Sequence, residues 1–165
     1  MPDLLTHYAT SYLVASKLVG RRKALLVAFF GLAPDIDVFF HAHRYISHSI
    51  FLPLTLLLAA FTRRSPCWRR LFLVLALLYT LHLALDAFTA PLPLFAPLSP
   101  KAYMVHLDVV GCLDRGPSIK CSVYVEVVEL AHGMDVVEGP IASTIGAMFL
   151  VAVLFYELAS LLKRF

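Results

Sequence analysis

Long apolar runs, separated by short polar segments, dominate both ends of the chain. Their lengths and spacing predict five helices, at residues 4–19, 24–33, about 47–62, 71–88 and 141–162. Gly20 and Pro34 are expected to end the first two helices, because glycine favours the helix C-cap and proline disfavours α conformation in the residue before it. The last run is about 22 residues long, enough to cross a hydrocarbon core of ~30 Å. It is the clearest predicted transmembrane helix.

The pattern changes between residues 100 and 140, where β-branched and aromatic residues become frequent. Tyr103–Cys112 and Ile119–Leu130 are predicted strands of a β-hairpin, which forms an insertion at about residues 101–138. A turn centred on Gly116 and Pro117 would place Cys112 opposite Cys121, so a disulfide between them is expected. The prediction is therefore a single-domain, all-α integral membrane protein of about five helices with a small extracytoplasmic β-hairpin.

Composition supports a membrane location. Of 165 residues, 60% are hydrophobic, and the mean hydropathy of +0.80 exceeds what the core of a soluble domain can accommodate. The net charge of +3 comes mainly from basic clusters at 21–23, 63–64, 69–70 and 163–164. The positive-inside rule then predicts a multi-pass protein of the cell membrane with the N-terminus outside and the C-terminus cytoplasmic. Membrane lipid is an expected partner of the protein, and nucleic acid binding is not expected.

The segment Pro34–Ser49 concentrates the candidate chemistry, with two aspartates, three histidines and an arginine between two apolar runs. Charges are costly to bury unless a partner or a metal ion compensates for them. Asp35 and Asp37 can direct two carboxylates to one side of a turn, and His48 is the preferred ligand, with His43 second. The alternative is a water-exposed loop with incidental histidines, and His41 is interpreted in that way.

His82 and Asp86 are spaced so that one face of a helix offers an imidazole and a carboxylate to the same ion. Ionisable residues inside an apolar helix are rare and usually functional, although an ordinary polar pair is the alternative. His7, in the first helix, reads by itself as an interfacial residue. The predicted topology brings all these residues to the outer side of the membrane, so a site there would face outward. His106, Asp108 and His132 are interpreted as having no role in a site.

Taken together, these motifs resemble the prokaryotic membrane-bound metal-dependent hydrolase family, formerly a domain of unknown function. The resemblance covers about residues 3–100 and the last helix, and it is carried by His7, Ala-Pro-Asp-Ile-Asp at 33–37, His-Arg-x-x-Ser-His-Ser at 43–49 and His-x-x-x-Asp at 82–86. That family is similar in ligand order to zinc-dependent phospholipase C and the single-strand-specific zinc nucleases.

The resemblance implies a divalent metal, with zinc the expected ion, held by an aspartate of the 35/37 pair, His48 or His43, His82 and Asp86. His7 would hold a neighbouring ion bridged by Asp86. No third ligand set is evident, Val38 stands where a histidine often follows the second aspartate, and Pro-Leu-Pro at 91–93 replaces a usual glycine. One or two ions are therefore expected.

The implied function is hydrolysis of a phosphoester, possibly lipid-linked, by a metal-activated water. Asp35 or Asp37 would act as general base, and Arg44 would stabilise charge on the phosphate. The alternatives are a non-catalytic, metal-stabilised membrane protein that binds a partner through its outer hairpin, and a small transporter subunit. The transporter is disfavoured because the polar residues gather at one membrane face. The oligomeric state is left open.

Overall fold

The computed structural model of the chain describes residues 3–40, 46–112, 118–129 and 142–162. Within these ranges the chain forms five α-helices, one long 3-10 helical segment and a two-stranded antiparallel sheet. In chain order they are α1 (Leu4–Val19), α2 (Arg21–Val27), the 3-10 segment (Ala28–Phe40), α3 (Phe51–Thr62), α4 (Pro66–Ala87), β1 (Lys101–Cys112), β2 (Ser118–Glu129) and α5 (Thr144–Leu162).

Helix α1 has clear start and stop signals, and its predicted bounds are confirmed. The Asp3 carboxylate caps the helix by accepting a hydrogen bond of 2.8 Å from the backbone N–H of Thr6. Gly20 ends it with a φ of +83°, a conformation that costs glycine little because it has no Cβ. Asp3 also accepts hydrogen bonds from the backbone N–H of Ser143, at 3.0 Å, and from its hydroxyl group. The N-terminal ends of α1 and α5 therefore meet at one carboxylate.

The second predicted helix differs from the observed structure. The α-helix ends at Val27, and a 3-10 helix of 13 residues continues through Pro34 to Phe40. Runs of 3-10 helix longer than three or four residues are uncommon and often mark strain or a functional segment. Proline has no N–H to donate, but this limits the local hydrogen bonding without forcing the chain to leave the helical region. The expectation that Pro34 ends the helix is therefore wrong.

Helix α3 also begins later than expected, at Phe51 instead of near Ser47. Its N-cap is Ile50, which makes no side-chain cap hydrogen bond, and the hydroxyl of the preceding Ser49 accepts a hydrogen bond of 3.2 Å from the backbone N–H of Phe51. The residues just before the helix form turns, and the backbone N–H of Ile50 donates to the carbonyl of Leu94 at 2.9 Å. This contact ties the start of α3 to the proline-rich loop after α4.

Helix α4 is the centre of the packing and contacts α1, α3 and the 3-10 segment. Ala15, Ala24, Val74 and Leu78 form one buried cluster where α1, α2 and α4 meet. Tyr79, Leu83 and Leu92 form a second cluster towards the C-terminal end of α4. Helix α5 packs on α1, and an ion pair of 2.6 Å between Arg21 and Glu157 joins α5 to α2.

The predicted hairpin is confirmed, with strands of 12 residues each, but the expected disulfide is wrong. The register pairs Cys121 with Val109 and Cys112 with Ser118, so the cysteines are three positions apart along the ladder. Cys121 is an exposed free thiol. The observed pairing of β1 with β2 is shifted by three positions from the pairing expected for these two cysteines, because register follows strand pairing across the whole ladder.

The fold-class prediction of an all-α integral membrane protein is also wrong. In the part of the chain that the structure describes, α4 is the one helix both long and apolar enough to cross a bilayer, and the chain contains a 24-residue antiparallel sheet. The expected clearest span, at 141–162, begins at Thr144 in α5, where the Ser143 hydroxyl accepts a hydrogen bond of 3.0 Å from the N–H of Gly146. Its apolar stretch Thr144–Ser160 is shorter than that of α4. The break at Val27 likewise shortens the second helix.

Candidate metal centre

Five ionisable residues from four segments meet in the interior. His82 and Asp86 come from the last turns of α4, His7 from α1, Asp35 from the 3-10 segment and His48 from the turn before α3. Four of them are almost completely buried, whereas 12% of the Asp35 side chain is exposed. So many ionisable groups in an apolar interior require compensation by a partner of opposite charge.

His82 and Asp86, both on α4, are the central residues of the site. Because residues i and i+4 of a helix lie one above the other, His82 and Asp86 point to the same neighbours, and Nε2 of His82 is 3.6 Å from Oδ2 of Asp86. Nε2 of His48 is 3.2 Å from the same oxygen and 3.7 Å from Oδ1 of Asp35. Nε2 of His82 is 3.5 Å from that Asp35 oxygen. Four ligand-type atoms therefore surround one point, all within 4.8 Å of one another.

These separations fit a four-coordinate metal ion. Ligand bonds of about 2.0–2.1 Å place neighbouring ligand atoms of a regular tetrahedron about 3.3–3.4 Å apart. The four nitrogen–oxygen separations here span 3.2–3.7 Å. Most of them exceed the usual length of a hydrogen bond between nitrogen and oxygen, which is at most about 3.2 Å. Two imidazoles and two carboxylates are also a donor set typical of zinc and other divalent ions. The cluster can thus hold a metal ion.

The orientation of His82 supports the same interpretation. Its Nδ1 lies 2.8 Å from the backbone carbonyl oxygen of Gly31, and a carbonyl only accepts, so Nδ1 carries the hydrogen. In a neutral ring, Nε2 then presents a lone pair towards the carboxylate oxygens of Asp35 and Asp86. Two such acceptors repel unless a cation lies between them, either a proton on Nε2 or a metal ion. A backbone carbonyl that fixes the outer nitrogen of a histidine is a common arrangement around protein metal sites.

The charges of the carboxylates and the polarity of α4 also favour a cation at this site. Asp86 lies in the last turn of α4, where the helix dipole disfavours negative charge. Burial raises the pKa of the Asp35 carboxyl, but the His48 and His82 rings outweigh this effect and hold that pKa well below its ordinary value. The Asp35 carboxylate is therefore available as an anion. A divalent cation would balance the two negative charges of ionised Asp35 and Asp86.

His7 lies beside this group of four residues. Its Nε2 is 3.2 Å from Oδ1 of Asp86, and its ring stacks on that of His82 with 3.8 Å between the centroids. Nδ1 is buried without a hydrogen-bond partner among the described residues. Burial lowers the pKa of His7 more than the carboxylate of Asp86 raises it, which favours the neutral, ligand-competent ring. His7 contacts the oxygen of Asp86 that faces away from the other histidines.

The structure thus brings together His7, Asp35, His48, His82 and Asp86, five of the seven residues predicted as ligands. Asp37 lies in the 3-10 segment, but its side chain is outside the described part of the chain. His43 and Arg44, together with the bystander His41, also lie outside the described residues. His106 is paired at 2.7 Å with Glu126 on the hairpin. The ligand and catalytic roles themselves stay predictions.

Sequence reasoning missed the residues that support these side chains. Gly31 supplies the carbonyl for His82, and a Cβ there would lie 1.9 Å from Oγ of Ser11. Ser47 contacts Nδ1 of His48 at 3.0 Å, and the Tyr79 hydroxyl donates to the Ser47 carbonyl. Two features of the sequence could have indicated these supporting residues: Tyr79 lies one turn before His82, and Ser47 is adjacent to His48.

One family model matches nearly the whole chain: the model described as YdjM inner membrane protein aligns with residues 1–162. This match supports a location in the cell membrane, which agrees with the high hydropathy of the chain. No curated protein and no solved structure matches it at a significant level.

Proposed function

The chain belongs to the YdjM inner membrane protein family, and we propose that it is a membrane-bound, metal-dependent hydrolase that acts on a phosphoester. The observation that carries the proposal is the convergence of one ligand atom each from Asp35, His48, His82 and Asp86, all within 4.8 Å of one another and with nitrogen–oxygen separations of 3.2–3.7 Å. These residues would hold the ion, with zinc the expected metal. A divalent ion supplies hydrolytic chemistry by lowering the pKa of water and polarising a phosphoryl oxygen.

Each residue of the candidate site has a distinct role in this proposal. His82 and Asp86 form a rigid base on α4, and the Gly31 carbonyl fixes the ring of His82. Asp35 is the ligand that solvent and substrate would reach, because it alone of the four is partly exposed. His7 would orient Asp86 or take a second ion through its other oxygen. We retain Asp37 as a candidate general base and Arg44 as a candidate phosphate contact.

The substrate proposal follows from the membrane location. A lipid-linked phosphoester is the expected substrate, because an active site on a membrane protein is close to lipid headgroups. The polarity of α4 supports an outward-facing site: four arginines flank its N-terminal end, and the positive-inside rule favours the cytoplasm for that end. Cysteine labelling from each side of the membrane tests this orientation. The two labelled positions are the native Cys67 and Thr89→Cys, each as the single cysteine of the protein. Labelling of both positions from the same side would contradict it.

A non-catalytic metal site is the second candidate function. Four protein ligands complete a tetrahedron, and structural zinc sites are typically closed in this way, whereas catalytic sites keep one position open. Three of the four ligands here are almost completely buried. In this alternative the ion stabilises the helices, and the exposed hairpin binds a partner.

Hydrolysis of bis(p-nitrophenyl) phosphate by the full-length protein in detergent separates the two functions. A hydrolase should bind about one equivalent of metal and release nitrophenol well above the rate of the metal-free protein. Asp86→Ala should abolish both properties, and Asp108→Ala, a carboxylate removed from the exposed hairpin, should preserve both. Bound metal without turnover, on this substrate and on a lipid phosphodiester, would support the structural role. Protein without metal would contradict both functions.

A further inference from the structure

The end of the molecule opposite the metal centre carries a dense, exposed set of cations. Arg70 donates to the carbonyl of Leu18, which brings the N-terminal end of α4 next to the C-terminal end of α1. All ten residues from Phe61 to Arg70 are exposed. We call this surface the basic end; its exposed cations are Lys17, Arg22, Lys23, Arg63, Arg64, Arg69 and Arg70.

These cations lack acidic partners. The sequence contains no aspartate or glutamate from residue 4 to 34 or from 38 to 85. Glu157, on the neighbouring α5, is already paired with Arg21 at 2.6 Å. Among the described residues, none of the seven exposed cations forms an ion pair. Charges of one sign held together repel one another, so this surface favours a polyanionic partner.

The surroundings of the basic end indicate which polyanion. Trp68, 57% exposed, lies among the arginines, and tryptophan is enriched where a protein crosses the interface between lipid and water. Beyond the arginines, the adjoining turns of α3 and α4 present exposed apolar side chains, namely Leu58, Phe61, Leu73 and Leu77. A cationic surface followed directly by an apolar one matches a phospholipid, with its anionic headgroup and hydrocarbon tails. A soluble polyanion would leave the apolar part uncovered.

We propose that the basic end is a docking surface for anionic phospholipid, with the headgroups on the arginines around Trp68 and the acyl chains along α3 and α4. Helix α4 supports this assignment, because its apolar stretch begins at Leu71, immediately after Arg70. The surface lies about 18 Å along α4 from His82, given a rise of ~1.5 Å for each of the 12 residues between Arg70 and His82. Lipid binding here is therefore separate from the metal centre and does not depend on the proposed hydrolase activity.

The single tryptophan of the chain makes the proposal testable at the surface itself. The full-length protein is reconstituted into phosphatidylcholine bilayers that contain increasing phosphatidylglycerol, with either lipid brominated so that it quenches Trp68 on contact. The ratio of the two quenching efficiencies gives the preference for the anionic lipid. We expect a preference of at least about fivefold, because each basic residue near an anionic surface contributes roughly a fivefold factor. Raising the salt concentration to 0.5 M should reduce it.

The variant Arg64→Gln/Arg69→Gln removes two exposed arginines whose side chains form no hydrogen bond or ion pair among the described residues, and it should lower the preference several-fold while the other five cations remain. Lys101→Gln/Lys120→Gln removes the same charge from the hairpin and should leave the preference unchanged. A wild-type preference near one, a preference that the arginine substitutions do not lower, or no quenching of Trp68 by either lipid would overturn the proposal. The salt titration of the wild type gives an answer even if the variant does not fold.

Discussion

The two ends of the helical part treat charged residues in opposite ways. The metal centre buries three histidines and one aspartate, namely His7, His48, His82 and Asp86. The Nε2 atom of each histidine lies 3.2–3.6 Å from an oxygen of Asp86. At the basic end the cations are exposed and form no ion pairs among the described residues. A buried anionic cluster requires a cation inside the protein, whereas an exposed cationic cluster can use an anion outside it. Substitutions at the two ends should therefore have very different consequences.

The largest expected effect is that of Asp86→Ala. Asp86 is the carboxylate that three histidines share, so its removal should weaken metal binding by at least about 100-fold, more than the loss of an outer-shell residue usually does. Metal analysis of the purified variant should find less than about 0.1 equivalents. Asp108→Ala is the matched control, because this carboxylate is exposed on the hairpin. Full metal content in Asp86→Ala would show that the cluster is not the binding site.

Removal of the metal from the wild type should have the next largest effect. A ligand present at 1,000 times its dissociation constant stabilises the folded state by about 4 kcal/mol, so chelation should lower the free energy of unfolding by a similar amount. The measurement is denaturant unfolding, followed by circular dichroism, with and without chelator. Asp86→Ala should not respond to the chelator. An equal response of the wild type and the variant would indicate that chelation acts elsewhere.

Gly31→Ala should produce an intermediate effect. The added Cβ would lie 1.9 Å from Oγ of Ser11, so the 3-10 segment must shift and the carbonyl that fixes His82 moves with it. We expect metal affinity to fall about tenfold, as for other outer-shell changes, in a competition assay with a chromophoric chelator. Gly111→Ala has open space around its Cβ and is the control. Ser11→Gly combined with Gly31→Ala should restore affinity, and failure to do so would rule out this steric mechanism.

The smallest effect is expected at the other end. Arg64→Gln/Arg69→Gln should change the free energy of unfolding in detergent by less than about 0.5 kcal/mol per substitution and leave the metal content unchanged, because both side chains are exposed. The measurements are denaturant unfolding followed by circular dichroism and metal analysis of the purified variant. A large loss of stability or of bound metal in this variant would contradict the conclusion that the basic end is independent of the metal centre.

Local patterns in the sequence were sufficient for most of the elements and for five of the residues that the structure brings together. The spacing of His82 and Asp86 places them on one helical face, and Gly20 marks the end of α1. Both features depend only on residues that are close together in the sequence. The frequency of β-branched and aromatic residues likewise located the hairpin.

Features that depend on contacts between distant segments could not be predicted in this way. The 3-10 segment lies where Gly31 packs against Ser11, 20 positions earlier, and no local pattern encodes that approach. The hairpin register is set by 12 cross-strand pairs, and a small error in the turn position produced the wrong disulfide. The fold class was wrong because apolar composition does not give helix length: α2 has 7 residues and α3 has 12, so neither is long enough to cross a bilayer.

The junction between Asp3 and α5 restricts which sequences this fold accepts. A Cβ at Gly146 would lie 2.1 Å from the Asp3 carboxylate, so any other residue would push α5 away from the cap of α1. Most of the other described positions of α5 face outward. In a saturation library of this helix, apolar replacements should therefore survive at positions such as Met148 and Leu154, while position 146 should retain only glycine. Sequence drift in α5 would be broad at its exposed positions and narrow at position 146, where glycine keeps α5 in place against α1, the helix that carries His7.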